Sequence, residues 1–186
     1  MGDANQLELN KGDNFIFLAD VSRSMGTRDC PGGMSRIDYL KEGLTTFVNE
    51  ASKYDDDGID LITFGVEVKV QAKLTPASAA TIIAGLQANE GATDTASAIE
   101  KAWSLHKAGG YEQTVVFVAT DGEPSDKQRV KEVIRDIASK VKPDAVDPKD
   151  SHEFAISFLT VGKRDAALEA FLTELDAELK AKYDIV

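Results

Sequence analysis

Apolar residues fall along this chain in two kinds of pattern. Phe15-Ile16-Phe17-Leu18-Ala19 and Val115-Val116-Phe117-Val118-Ala119 are continuous runs of strand length, and Phe154-Ala155-Ile156-Ser157-Phe158-Leu159-Thr160-Val161 reads the same way. Runs without alternation suit strands covered on both faces, as in the middle of a parallel sheet. Val66, Val68 and Val70 instead alternate with Glu67, Lys69 and Gln71, the period of a half-exposed strand. Just before it, Ile59 to Phe64 runs up to Gly65. The pair predicts a hairpin with the charged strand at the sheet edge, where lysine blunts further pairing.

The second pattern is helical. Ile37, Leu40, Leu44, Phe47, Val48 and Ala51 recur at steps of three and four, as do Val130, Val133, Ile134, Ile137 and Val141, and again Leu168, Phe171, Leu172, Leu175 and Leu179. Each set is one apolar stripe turned toward a sheet. Thr75-Pro76 places proline at the first position of a further helix, and Ser125 with Gln128 has the form of a capping box. A weaker helix spans Thr95 to Lys107, and Tyr183-Asp184-Ile185-Val186 reads as the beginning of a last strand. Strands alternating with helices in this order predict a doubly wound, Rossmann-like α/β fold. Its sheet is mostly parallel, with one antiparallel edge strand and helices on both faces. The stretch from Lys142 to His152, with Pro143 and Pro148, leads from a helix back into a strand and belongs at the strands' N-terminal edge.

Composition narrows the classes. At 186 residues the expectation is one domain over 1–186, with 1–13 as an N-terminal lead-in. Cys30 is the single cysteine, which excludes a disulfide scaffold. With 32 acidic against 21 basic side chains the net charge is -11, so no nucleic-acid partner is expected. No apolar run approaches the roughly 20 residues of a membrane helix, and Met1 to Asn10 has no apolar segment of signal-peptide type.

Two aspartates stand out by position. Asp20 directly follows the first buried run and Asp121 lies just beyond the run from Val115. In an open α/β sheet the ligand crevice forms outside the carboxyl ends of the strands, where the strand order reverses. If these two strands are neighbours there, both carboxylates converge on it. Asp20-Val21-Ser22-Arg23-Ser24 then sets three oxygen-bearing side chains at alternate positions as the strand unwinds. Carboxylates with hydroxyls form a hard oxygen site, suited to Mg²⁺, Mn²⁺ or Ca²⁺.

Asp-x-Ser-x-Ser at the end of a buried first strand resembles the metal-ion-dependent adhesion site of von Willebrand factor A domains. The resemblance extends to Gly91-Ala92-Thr93, similar to that family's threonine loop, and to Thr120-Asp121-Gly122, similar to its final aspartate, all in the family's order. It implies that Asp20, Ser22, Ser24, Thr93 and Asp121 surround one divalent cation, Mg²⁺ first with Mn²⁺ and Ca²⁺ as alternatives. It also implies that an acidic side chain of a protein partner completes the shell. Two formal negative charges among five ligands leave such an ion electrophilic, with room for an incoming carboxylate. The resemblance implies a non-enzymatic binding module of bacterial type. A cytoplasmic member would work beside an AAA+ ATPase or in a stress-response system; the alternative is an extracellular module of a larger adhesin. The single cysteine, the start of the chain and the run from Asp121 to Asp126 favour the first.

Other readings compete at single positions. Ser22 and Ser24 suit ordinary turns, Thr93 suits a helix N-cap, and Asp94 and Glu123 suit caps or outer supports. His106 follows Ile99 and Trp103 on one helical row and reads as a packed histidine, and His152 falls far from the crevice. Cys30 lies in the loop beside the expected metal, where modification would disturb binding. Neither a Gly-x-Ser-x-Gly elbow nor a phosphate-binding glycine loop is present. The enzymatic rival is a Mg²⁺-dependent phosphoryl-transfer or receiver-like domain using Asp20, Asp121, Thr120 and Lys163. Against it, Ser22 stands where a second carboxylate would serve as acid and base.

Overall fold

The computed structural model describes residues 13–143, 151–179, 181 and 183–186. The expected lead-in, apart from Asp13, and the middle of the loop expected between Lys142 and His152 lie outside the described residues. Five strands form the sheet: β1 (Asn14–Asp20), β2 (Ile59–Phe64), β3 (Val68–Leu74), β4 (Thr114–Thr120) and β5 (Phe154–Thr160). Five helices accompany them: α1 (Arg36–Ala51), α2 (Ala79–Ala84), α3 (Thr95–Gly109), α4 (Lys127–Ala138) and α5 (Ala166–Glu178). The strand order is β3-β2-β1-β4-β5. All neighbours are parallel except β3, which runs antiparallel to β2 at the edge. The doubly wound α/β fold read from the sequence is the fold of the molecule.

The continuous apolar runs divide their residues between two faces by the pleat. Ile16, Leu18, Val116, Val118 and Ile156 point into a core shared with α3, α4 and α5. Phe15, Phe17, Ala19 and Val115 point the other way, toward α1 and α2. Phe47 of α1 anchors that second core, its ring centroid 5.4 Å from Phe17 and 4.8 Å from Phe117 in tilted and edge-on contacts. With helices on opposite faces either side of it, the β1–β4 pair is where the winding reverses, and the carboxyl ends of these strands open the crevice. Beside β5, the Ile156 N–H donates to the Ile185 carbonyl at 2.7 Å, so the last residues lie along β5, but among the described residues they make a single bridge at Asp184 and not the strand expected there.

Three local expectations are corrected. Val66 lies outside β3, at the hairpin turn and 62% exposed, because the pairing register starts at Phe64 opposite Val68. Pro76 sits in a turn ahead of α2 rather than at its first position. Thr75 and Ser78 cross-bond there, with the Thr75 N–H donating to the Ser78 hydroxyl at 3.0 Å, and hold proline at the second turn position that its fixed φ suits. The cap of α4 is Asp126, not Ser125: the Asp126 carboxylate accepts from the Arg129 N–H at 2.9 Å. Ser125 is drawn away by the Thr93 loop, whose N–H its hydroxyl accepts at 3.0 Å.

The two serve as a matched test. Asp126→Ala is expected to cost about 1 kcal/mol of stability in urea unfolding, the usual loss for a helix cap, whereas Ser125→Ala leaves α4 capped and costs less. The reverse order would return the cap to Ser125.

Candidate metal centre

Asp20 ends β1 with its side chain closed to solvent. Its Oδ1 accepts from the Ser22 N–H at 2.8 Å and its Oδ2 from the Thr120 hydroxyl at 2.7 Å. Burial pushes this carboxyl above its ordinary value; the bonds from Ser22 and Thr120 oppose that push, and the like charge of Asp121 adds to it. Ser22 leaves the strand in extended backbone, and a 3-10 turn over Arg23–Gly26 carries Ser24 back beside it, the two hydroxyls 3.0 Å apart. The Ser24 hydroxyl donates to Asp121 Oδ1 at 2.8 Å. The two strands are parallel neighbours, the condition on which the sequence reading let Asp20 and Asp121 converge, and Ser22 and Ser24 form a relay that reaches Asp121.

Thr93 enters through its backbone. Its N–H donates to the Ser125 hydroxyl, and its carbonyl accepts from the Ser125 N–H at 3.1 Å. That clasp holds the threonine loop against the loop carrying Asp121. Thr93 is not the cap of α3; Asp94 is, accepting from the Ser97 N–H at 3.1 Å.

Glu90 is a support the sequence reading missed. Its backbone bridges Ser22, and its carbonyl accepts from the Arg23 N–H at 2.8 Å. Its carboxylate accepts from the N–H groups of Val66 and Glu67 at 2.7 and 2.9 Å and pairs with Lys69 at 3.1 Å. One residue thus fastens the hairpin turn to the Asp20–Ser24 loop. Gly65 permits it, since a methyl group there would lie 2.7 Å from Glu90 Oε2.

Arg36, the first residue of α1, was likewise missed as a site residue. Its Nε and Nη2 pair with the two oxygens of Asp29 at 2.9 and 2.7 Å, and its Nη1 donates to Asp121 Oδ2 at 2.8 Å. The guanidinium holds the Asp29 carboxyl down at about 2. In the sequence Arg36 looks like the ordinary start of an amphipathic helix; only the bend of the Gly26–Ser35 loop brings it to Asp121.

The remaining candidates resolve into other roles. Glu123 pairs with Lys127 one turn on. His106 is buried at the opposite edge of the sheet, bonded to the Thr114 hydroxyl at 2.9 Å and to Glu153 at 3.3 Å. His152 lies at that same edge, two residues before β5. Cys30 is buried, and burial raises its thiol, the direction that lowers reactivity. Among the described residues, no three His, Cys, Asp or Glu side chains gather as a metal cluster. The donors at the crevice are two carboxylates and hydroxyls, a set for hard cations rather than zinc or copper.

Comparison with known proteins gives the family. The sequence profile of the von Willebrand factor type A domain matches residues 15–124, a span containing all five expected ligands. No curated protein matches the chain. Among solved structures, the manganese-loaded TRAP protein of Plasmodium vivax superposes with a TM-score of 0.64 at 16% identity, over 88% of this chain and 62% of that one. The vWF domain of the type V pili tip protein Mfa5 from Porphyromonas gingivalis gives 0.51 at 15% identity, over 63% of this chain and 40% of that one. The D319A mutant of the PilB minor pilin from Streptococcus sanguinis gives 0.50 at 19% identity, over 64% and 32%. The chain thus spans less than two thirds of each of these proteins, and at such identities the likeness is one of fold. By the profile match over more than half its length, this chain belongs to the von Willebrand factor type A domain family.

Proposed function

We propose that this chain is a divalent-cation-dependent protein-binding module, with a metal-ion-dependent adhesion site formed by Asp20, Ser22, Ser24, Thr93 and Asp121. The observation that carries the reading is the oxygen relay from Ser22 through Ser24 to Asp121, set beside the buried Asp20 carboxylate. The donor set fits the ion. A carboxylate has about four acceptor sites, so Asp20 keeps lone pairs beyond the bonds from Ser22 and Thr120. Two carboxylates whose charges oppose one another in a buried crevice gain from a cation between them. When bound, the cation supplies an electrophilic position for a carboxylate of the partner, with Mg²⁺ or Mn²⁺ the best match to oxygen donors of this number.

The chain's own residues do the rest. Thr120 and the Ser22 N–H hold Asp20 in one orientation, Glu90 fixes the loop carrying the serines, and the Ser125 clasp ties the Thr93 loop to the loop that carries Asp121. Rigid presentation lowers the ordering cost when a partner docks. The exposed Val66 at the hairpin turn, fastened by Glu90 and beside Gly91 of the threonine loop, would offer a partner an apolar contact.

The reading is non-enzymatic: neither histidine is near Ser22 or Ser24 to serve as a base, and Ser22 stands where phosphoryl transfer would need a second acid. We extend it to the whole span 1–186 as one domain of a bacterial-type protein acting in the cytoplasm, partnered by an AAA+ ATPase or a stress-response component. The alternative, a surface adhesin module, draws on Mfa5 and PilB, which are pilus proteins. Among the described residues no helix is long and apolar enough to cross a membrane.

Three outcomes test the proposal. Mg²⁺ or Mn²⁺ at a hundred times its dissociation constant should add about 2.7 kcal/mol of stability, or about 5–10 °C in Tm for a domain this size. Asp20→Ala should abolish that shift and Thr93→Ala reduce it in a thermal melt with and without chelator. A partner captured on the metal-loaded protein should elute with chelator; retention by Asp20→Ala in excess chelator would show that no metal bridges the two. Acetyl phosphate with Mg²⁺ should not turn over, and turnover lost in Asp20→Asn would overturn the binding reading in favour of phosphoryl transfer.

A further inference from the structure

Arg36 spends its whole guanidinium on carboxylates. Two nitrogens form a fork on Asp29 and the third takes Asp121 Oδ2, while Ser24 takes Oδ1 of the same carboxylate. Surface ion pairs of long side chains contribute little because they are mobile and hydrated. This one is largely closed to water. The Arg36 side chain is 15% exposed, that of Asp29 10% and that of Asp121 1%. Gly162 closes over it: at its φ of 89° a side chain is already strained, and a methyl group there would run into Arg36 Nε and lie 2.9 Å from Cδ. The Lys163 N–H adds a long contact to Asp29 Oδ2 at 3.4 Å. Four segments therefore meet on one fixed cation: the loop after β1, the start of α1, the loop after β4 and the turn after β5.

We propose that Arg36, held by Asp29, is the resident counter-ion of Asp121 and sets the affinity of the crevice for divalent cations. The inference rests on the metal-binding reading above and deepens it. In the metal-free protein the guanidinium neutralises Asp121 and keeps three loops in place. A divalent cation that takes Asp121 binds beside a fixed positive charge, so it binds more weakly than the two aspartates alone would hold it. Asp29 acts with the opposite sign. It shares the positive charge of Arg36, and without it that charge falls on Asp121 undivided. The device makes Arg36 a positioning residue: it touches a ligand of the ion rather than the ion's partner. Its consequence is a weakly held, exchangeable cation on a scaffold that stands without it.

The test measures Mn²⁺ affinity of the full chain by titration calorimetry, with urea stability in chelator as a second readout. Arg36→Met is expected to bind Mn²⁺ on the order of fivefold tighter, to be less stable than wild type in chelator, and to regain stability with Mn²⁺. Asp29→Asn is expected to bind Mn²⁺ more weakly by a similar factor. Arg36→Lys, which keeps the charge without the fork, should stay within about twofold of wild type. A residue that only braced the loops would lower affinity in all three variants alike. Unchanged or weaker binding by Arg36→Met overturns the inference while Asp20-dependent binding by wild type leaves the metal reading standing. Wild type that binds no Mn²⁺, like Asp20→Ala, overturns both. Should Arg36→Met fail to fold, the opposite signs cannot be compared through it, and tighter or equal binding by Asp29→Asn overturns the inference instead.

Discussion

The parallel pairing of β1 with β4 is the constraint on which this site depends. These two strands follow one another in the sheet but are separated by nearly a hundred residues of chain, and their carboxyl ends stop side by side. That pairing sets Asp20 and Asp121 side by side, one as the last residue of β1 and the other just past the end of β4. The Thr120 hydroxyl bonded to Asp20 crosses the same seam. Two buried carboxylates at a seam are unfavourable unless something answers their charge, and the surrounding structure can be understood as the set of groups that answer it.

Those answers come in three strengths. The weakest are hydroxyls and N–H groups, from Ser22, Ser24 and Thr120, which orient the carboxylates without neutralising them. The next is Arg36, a full charge shared between Asp29 and Asp121. The last is the divalent cation proposed for the crevice. Net charge over the chain is -11, yet at this spot the sign is set by groups a few ångströms away, within the roughly 8 Å over which salt leaves charges visible to one another. With the proposed cation bound, an acidic chain would offer a local surface to an acidic partner. Screening hides the rest.

Legibility in the sequence followed locality. The apolar runs, the helical stripes and the hairpin were readable because each reports a period set by its own backbone geometry. Departures arose where a side chain had a choice of partner. Ser125 has the form of a cap, but the Thr93 N–H lay within reach and Asp126 was available to cap α4 in its place. Val66 continues the alternation of β3 by composition, yet Glu90 pulls its N–H into the turn. Glu90 and Arg36 carried no local signal at all: one sits in an irregular loop, the other opens an amphipathic helix where a charged residue is unremarkable.

By itself, the sequence determined the order of strands and helices, the buried faces, and which oxygen-bearing residues stand at the ends of strands. These follow from backbone periodicity and from the rule that ligand crevices open where winding reverses. Only the tertiary structure decided which oxygen bonds to which hydroxyl, that Glu90 fastens the hairpin to the serine loop, and that Arg36 divides its charge between Asp29 and Asp121. Each of those depends on distances between segments far apart in the chain, and hydrogen bonds and ion pairs lose their meaning within an ångström of misplacement, whereas hydrophobic periodicity does not.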